Sequence, residues 1–158
     1  MKAVLQRISK ARVVINHERS EEVSAGLLVL FCAVEGDTLK HAEFLSEKII
    51  NLRIFTDEND KMNLSLTDVN GEMMIISNFT LCADARKGKR PSYTRSASPE
   101  EAKKLYEVFI GYCRSKNVKK IACGEFGADM QVELTNDGPV TVILDTDEIM
   151  KQGGAAHV

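Results

Sequence analysis

The tightest constraint on this chain is the stretch Asn136-Asp137-Gly138-Pro139, set between two β-like runs near the C-terminus. Ahead of it, Met130, Val132 and Leu134 alternate with Gln131, Glu133 and Thr135, the period of a strand with one buried face. Behind it, Val140-Thr141-Val142-Ile143-Leu144 is rich in β-branched residues and reads as a second strand. Asp-Gly by itself signals a hairpin. The proline that follows is unusual, because it removes a backbone donor and lets the preceding peptide bond be cis at a modest energetic difference. Two readings stay open on the local residues. The segment is either a plain tight turn or a rigid Gly-Pro corner that holds backbone groups in a fixed geometry.

Upstream, residues 2 to 15 read as β-rich, ending in a polar hairpin turn at Asn16-His17-Glu18-Arg19, with Glu22-Val23-Ser24 pairing back. Gly26 opens the apolar strand Leu27 to Val34. Asp37 is a candidate cap for a helix whose apolar positions are Ala42, Leu45, Ile49 and Leu52. Ile54-Phe55 is a short strand, and Met73-Met74-Ile75-Ile76 is another that runs directly into Ser77-Asn78-Phe79-Thr80-Leu81. A second helix begins with Ser98 as N-cap, Pro99 in its first position and Glu101 completing a capping box. Its apolar face is Ala102, Leu105, Phe109 and Cys113, and a further strand follows over 118–123. Strands adjacent in sequence outnumber helices, which predicts an α+β domain with a mostly antiparallel, barrel-like sheet and two main helices, not a βαβ repeat. One domain over 1–146 and a flexible tail over 147–158 are expected.

Bulk properties narrow the function classes. A chain of 158 residues can bury a core without staples. The formal net charge of −2 gives no global basicity, so any nucleic-acid contact must come from a local patch. Met1-Lys2-Ala3-Val4-Leu5-Gln6-Arg7 meets a charge before any secretory apolar core forms, and no apolar run approaches the roughly 18 residues of a membrane span. Cys32, Cys82, Cys113 and Cys123 show no CxxC spacing, and His17, His41 and His157 are far apart. Neither a metal centre nor a disulfide framework is expected, and reduced thiols suit a cytosolic location. A Ser-His-Asp or Cys-His enzyme is hard to assemble from these residues.

Three segments carry chemistry. Ser77-Asn78-Phe79-Thr80 brings hydroxyls, an amide and an aromatic to the end of a buried strand, either as a pocket wall or as a polar cap on the strand. The loop from Arg86 to Arg95 holds five cations, Arg86, Lys87, Lys89, Arg90 and Arg95, and is the best candidate for phosphate contact, against the plainer reading of a solvated loop. In Gly124-Glu125-Phe126-Gly127-Ala128-Asp129-Met130, two glycines bracket an aromatic, which permits close backbone approach.

Together with Leu52-Arg53-Ile54-Phe55 and Lys61-Met62-Asn63-Leu64-Ser65, these segments and the Gly-Pro corner occur in an order that resembles the D-aminoacyl-tRNA deacylases of the bacterial and eukaryotic type, over roughly residues 1 to 146. The resemblance implies a cytoplasmic homodimer, without cofactor or metal, that acts at the 3′ end of aminoacylated tRNA. It implies hydrolysis of the ester of a D-amino acid, and of glycine mischarged on tRNA-Ala. Ser77, Asn78, Phe79 and Thr80 would form the catalytic segment, and Ala97, Phe126 and Met130 would line the substrate site. Gly138 and Pro139, joined by a cis bond, would enter the partner subunit's site and exclude L-amino acids through backbone groups. Arg86, Lys87, Lys89 and Arg90 would contact tRNA phosphates. The chain departs from the family at Asn78, where glutamine is usual, and at Cys32, where relatives often carry glycine and which reads as a packing variation. Two competing readings are a non-catalytic RNA-binding module using the 86–95 loop and a structural β-barrel.

Overall fold

One long strand organises the molecule. In the computed structural model, which describes residues 1–150, β1 (Lys2–Ile15) has a different partner along each half of one edge. Its first half pairs antiparallel with β3 (Gly26–Cys32) and its second half with β2 (Arg19–Val23). Along its other edge lies β8 (Met130–Asp145), antiparallel over nearly the whole length. From β3 the sheet continues in parallel to β6 (Glu72–Ser77) and then β7 (Lys120–Cys123). The Lys120 ammonium donates to the Glu22 carbonyl at 2.7 Å, drawing the far strand back toward β2. The sheet is therefore barrel-like and mostly antiparallel, as expected, but its parallel part was not foreseen. Crossovers through α1 (Leu39–Asn51) and α2 (Pro99–Arg114) produce it, with the small β4–β5 pair (Phe55–Thr56 and Met62–Leu64) on the first of them.

Both faces of this sheet are covered, which explains why Leu27, Leu28 and Val29 form a continuous apolar run that is fully buried. Ala3, Leu5, Leu27 and Val29 pack under the helices against Leu45, Ile49, Leu105 and Phe109. Ile8, Val13, Ile15, Leu28 and Met74 form the second cluster, inside the curl of the sheet. β1 serves both clusters because its register shifts around Ile8 bend it from one face to the other. Phe109 is 0% exposed and stacks on Phe31 with ring centroids 4.8 Å apart. Phe109→Ala is expected to lower unfolding stability by about 3–5 kcal/mol, read as an earlier urea midpoint at unchanged slope.

Two local expectations give way to longer-range contacts. Asp37 does not cap α1; Thr38 does, its N–H donating to His41 Nδ1 at 3.0 Å. Asp37 instead takes the Met1 ammonium at 2.7 Å and the Val34 N–H at 2.6 Å. β6 ends at Ser77, in keeping with the expected strand end, and the residues after it form a 3-10 turn, Phe79–Cys82. The hairpin at Asp137-Gly138 is absent: both flanking runs belong to β8 and keep one direction along β1. Gln6 faces Thr141 and Ile8 faces Asn136, so residues 137–140 stand opposite Arg7 alone and bulge from the strand. The start of α2 follows expectation, with Ser98 Oγ accepting the Glu101 N–H at 3.3 Å. After β8 the chain turns through the short helix α3 (Thr146–Ile149), and residues 151–158 of the expected tail lie outside the described residues.

Candidate active site

The site is built where β6 ends. Met73, Met74 and Ile75 are fully buried, and the strand stays in register with β3 until Ser77 comes level with Phe31. The Asn78 N–H then donates to the Phe31 carbonyl at 2.7 Å, and the chain tightens into the 3-10 turn. The first N–H groups of a helical turn have no acceptor within it. Those of Phe79 and Thr80 find none among the described residues. The Thr80 hydroxyl is already engaged, donating to Asn78 Oδ1 at 2.5 Å.

This turn walls an open pocket of about 650 Å³. Ser77, Asn78, Phe79, Ala97, Phe126 and Met130 all line it, while Thr80 lies just beyond the lining. A second wall is stitched to the end of β3: the Ala97 N–H donates to the Ala33 carbonyl and the Glu35 N–H to the Arg95 carbonyl, both at 3.0 Å. The third wall, residues 126–130, is anchored from two sides. The Tyr106 hydroxyl lies 2.8 Å from the Ile75 carbonyl and 3.0 Å from that of Gly124, joining β6 to the segment after β7. Asn16 N–H donates to the Asp129 carbonyl at 2.8 Å, and His17 Nε2 sits 3.0 Å from the Asp129 carboxylate. A Cβ at Gly124 would lie 2.5 Å from Met130 Sδ, so a larger residue there would displace the Met130 side chain from this wall.

The lining is electrostatically neutral: hydroxyls, one amide and apolar groups, with no charged side chain among the described residues. His17 and His41 stand outside it, one in the Asp129 pair and one at the α1 cap. Cys32 packs with Val34 and Cys82 and also borders the pocket, its Sγ 3.6 Å from the Phe79 carbonyl. Burial above all, with the neighbouring Cys82 thiol, pushes the Cys32 thiol up to about 12, so it stays protonated and is a poor nucleophile. Iodoacetamide at pH 7.5 is expected to leave Cys32 unmodified in the folded protein, measured by mass spectrometry of a proteolytic digest.

The Gly-Pro corner lies away from this pocket's wall. Its peptide bond is cis, the form the resemblance implied. Gly138 has a φ of +122°, and a Cβ there would meet Val140 Cγ2 at 2.9 Å and Arg7 Nη2 at 3.0 Å. Arg7 braces the corner from beneath: Nε lies 3.1 Å from the Asp137 carboxylate, and Nη1 donates to the Ile54 carbonyl at 2.9 Å. Asn136 Oδ1 accepts the Val140 N–H at 3.0 Å and closes the bulge from inside.

The basic loop hangs from a backbone clamp between Asp84 and Ser92, which exchange N–H···O bonds of 2.7 and 2.9 Å. Its expected phosphate ligands divide into two kinds. Arg86 forks onto Asp84, with Nε at 2.9 Å and Nη2 at 2.6 Å, and this contact holds the Asp84 carboxyl well below the usual carboxylate range. Lys87, Lys89 and Arg90 are exposed and have no acidic partner among the described residues. Sequence reasoning passed over Tyr93, which lines the pocket from this loop. An aromatic embedded in a run of cations was the available signal.

Known proteins give this arrangement its context. The sequence model of the D-Tyr-tRNA(Tyr) deacylase family matches residues 4–145. A D-aminoacyl-tRNA deacylase of Thermosipho africanus is 53% identical over 94% of this chain and 99% of its own. One from Clostridium beijerinckii is 49% identical over 92% of this chain and 97% of its own. Among solved structures, a c-Myc DNA unwinding element binding protein superposes with a TM-score of 0.86 at 37% identity, covering 92% of this chain and 98% of that one. A probable eukaryotic D-amino acid tRNA deacylase, at 15% identity and a TM-score of 0.77, shares the fold over 90% of this chain and 97% of its own. With the family pattern spanning nearly the whole domain and the pocket assembled from the segments that carry it, this chain belongs to the D-Tyr-tRNA(Tyr) deacylase family.

Proposed function

We propose that the protein hydrolyses the ester between a D-amino acid and the terminal ribose of tRNA, releasing the free amino acid and tRNA. The observation that carries this reading, beside family membership, is the neutral pocket lined by Ser77, Asn78 and Phe79, the start of a turn whose Phe79 and Thr80 N–H groups have no acceptor among the described residues. A pocket without histidine, carboxylate or ionised thiol suits a reaction in which the substrate brings its own nucleophilic assistance. The ribose 2′-hydroxyl orients a water that attacks the ester carbonyl; the water oxygen becomes the new carboxyl oxygen and its proton passes to the departing ribose oxygen. The two N–H groups stabilise the oxyanion that forms, and the ribose oxygen departs with a proton. Glycine mischarged on tRNA-Ala, which has no side chain to exclude, is a second substrate.

Selectivity against L-amino acids comes from the corner at Gly138 and Pro139, working in a homodimer. In one chain the corner stands apart from the pocket, so it acts on the pocket of a second copy, where its backbone oxygens hold the α-amino group and leave no room for an L side chain. Lys87, Lys89 and Arg90 meet the phosphates of the tRNA 3′ end, with Arg86 shaping their loop. A cytoplasmic location follows from that substrate. No helix among the described residues is long and apolar enough to cross a membrane.

Incubation with D-Tyr-tRNA and L-Tyr-tRNA tests the reading. Release of D-tyrosine with the L-ester untouched is the expected result. Salt-sensitive tRNA binding without cleavage would instead indicate an RNA-binding module.

A further inference from the structure

Phe79 and Tyr93 stand at the mouth of the pocket with more apolar surface in water than their neighbours. Phe79 is 58% exposed and Tyr93 37% exposed, with ring centroids 5.2 Å apart at an interplanar angle of 73°. An edge-to-face pair of this kind fixes both rings while leaving ring faces uncovered. Phe79 opens the 3-10 turn and lines the pocket, and Tyr93 directly follows the Asp84–Ser92 clamp. Between the clamp strands lie Lys87, Lys89 and Arg90, exposed and without acidic partners among the described residues. Rigid exposed aromatics beside free cations are the elements of a single-strand nucleic-acid site, rings for base faces and cations for phosphates.

We propose that the Phe79–Tyr93 pair is a stacking platform for the penultimate base of the tRNA's unpaired 3′ end. The inference rests on the deacylase reading above. An ester held in the neutral pocket leaves the RNA to exit through the mouth, where this rim is the first surface the adjoining nucleotide meets. The cations farther along the same loop then take its phosphates.

The test compares two substrates, a D-aminoacyl-tRNA and the D-aminoacyl ester of adenosine alone, which lacks the penultimate nucleotide. Tyr93→Ala is expected to lose about ten-fold more kcat/KM on the tRNA than on the nucleoside ester, chiefly through KM, and Tyr93→Phe to restore it. Equal losses on both substrates overturn the platform. If sedimentation shows that Tyr93→Ala has also lost dimers, those equal losses mark the pair as a contact between copies. Failure of the wild type to cleave either substrate overturns the deacylase reading itself, an outcome distinct from equal losses.

Discussion

Phe79→Pro is expected to reduce kcat on a D-aminoacyl-tRNA by about 10²–10³-fold relative to Phe79→Ala, the loss typical of deleting one oxyanion donor. The comparison isolates the N–H because both variants lack the ring. Proline should be accommodated in the fold, since residue 79 opens the turn and its amide has no acceptor among the described residues. Asn78, at φ −148° and ψ 84°, already avoids the helical region that a following proline disfavours. Thr80→Ala is the companion measurement. With its hydroxyl donating to Asn78 and no base in the pocket, Thr80 is expected to matter by less than about ten-fold. A fall of order 10⁴ would make Thr80 the nucleophile and remove the backbone-centred mechanism.

The second large effect concerns the corner. Gly138→Ala forces a Cβ to within 3.0 Å of Arg7 Nη2 and 2.9 Å of Val140 Cγ2, at a φ that L-residues rarely adopt. The backbone must shift, and displacements near 1 Å at a positioned group remove about 10²-fold in rate. D-Tyr-tRNA turnover is expected to fall by about that factor, while L-Tyr-tRNA, which the wild type is expected to leave intact, becomes detectably cleaved. Arg7→Ala should move the two rates in the same directions by withdrawing the brace to Ile54 and Asp137. A Gly138→Ala enzyme with unaltered D/L discrimination would show that the corner is no filter.

How much of this was legible beforehand depended on whether the deciding contact was local. The start of α2 was, because Ser98, Pro99 and Glu101 settle it among themselves. The α1 cap was not: Asp37 is a sound cap residue, but the Met1 ammonium, 36 positions away, claims its carboxylate. The segment around Gly138 shows the limit most clearly. A reversal and a bulge share the same turn residues between the same strand patterns, and only continuous pairing with β1 distinguishes them. The parallel run of β3, β6 and β7 was equally hidden, since nothing within a buried apolar strand records its neighbour's direction. At the site, the 77–80 segment was a candidate pocket wall on its own residues and Phe126 and Met130 lay in a segment marked by its glycines, whereas Ala97 came only through family resemblance; the fold brings them round or beside one pocket. Charge alone could not separate Arg86, bound to Asp84, from Lys87, Lys89 and Arg90.

The bend in β1 bears on how such a protein could evolve new tolerance. Arg7, opposite the corner, and Leu5, in the core that packs against Phe31, are near neighbours on one strand, and that strand lies between β3 and β8. Pocket wall and corner are thus mounted on a common chassis. Mutations that loosen one will be felt by the other, so a broader substrate range should arise by altering the exposed tip and rim side chains before any change to the strand beneath them.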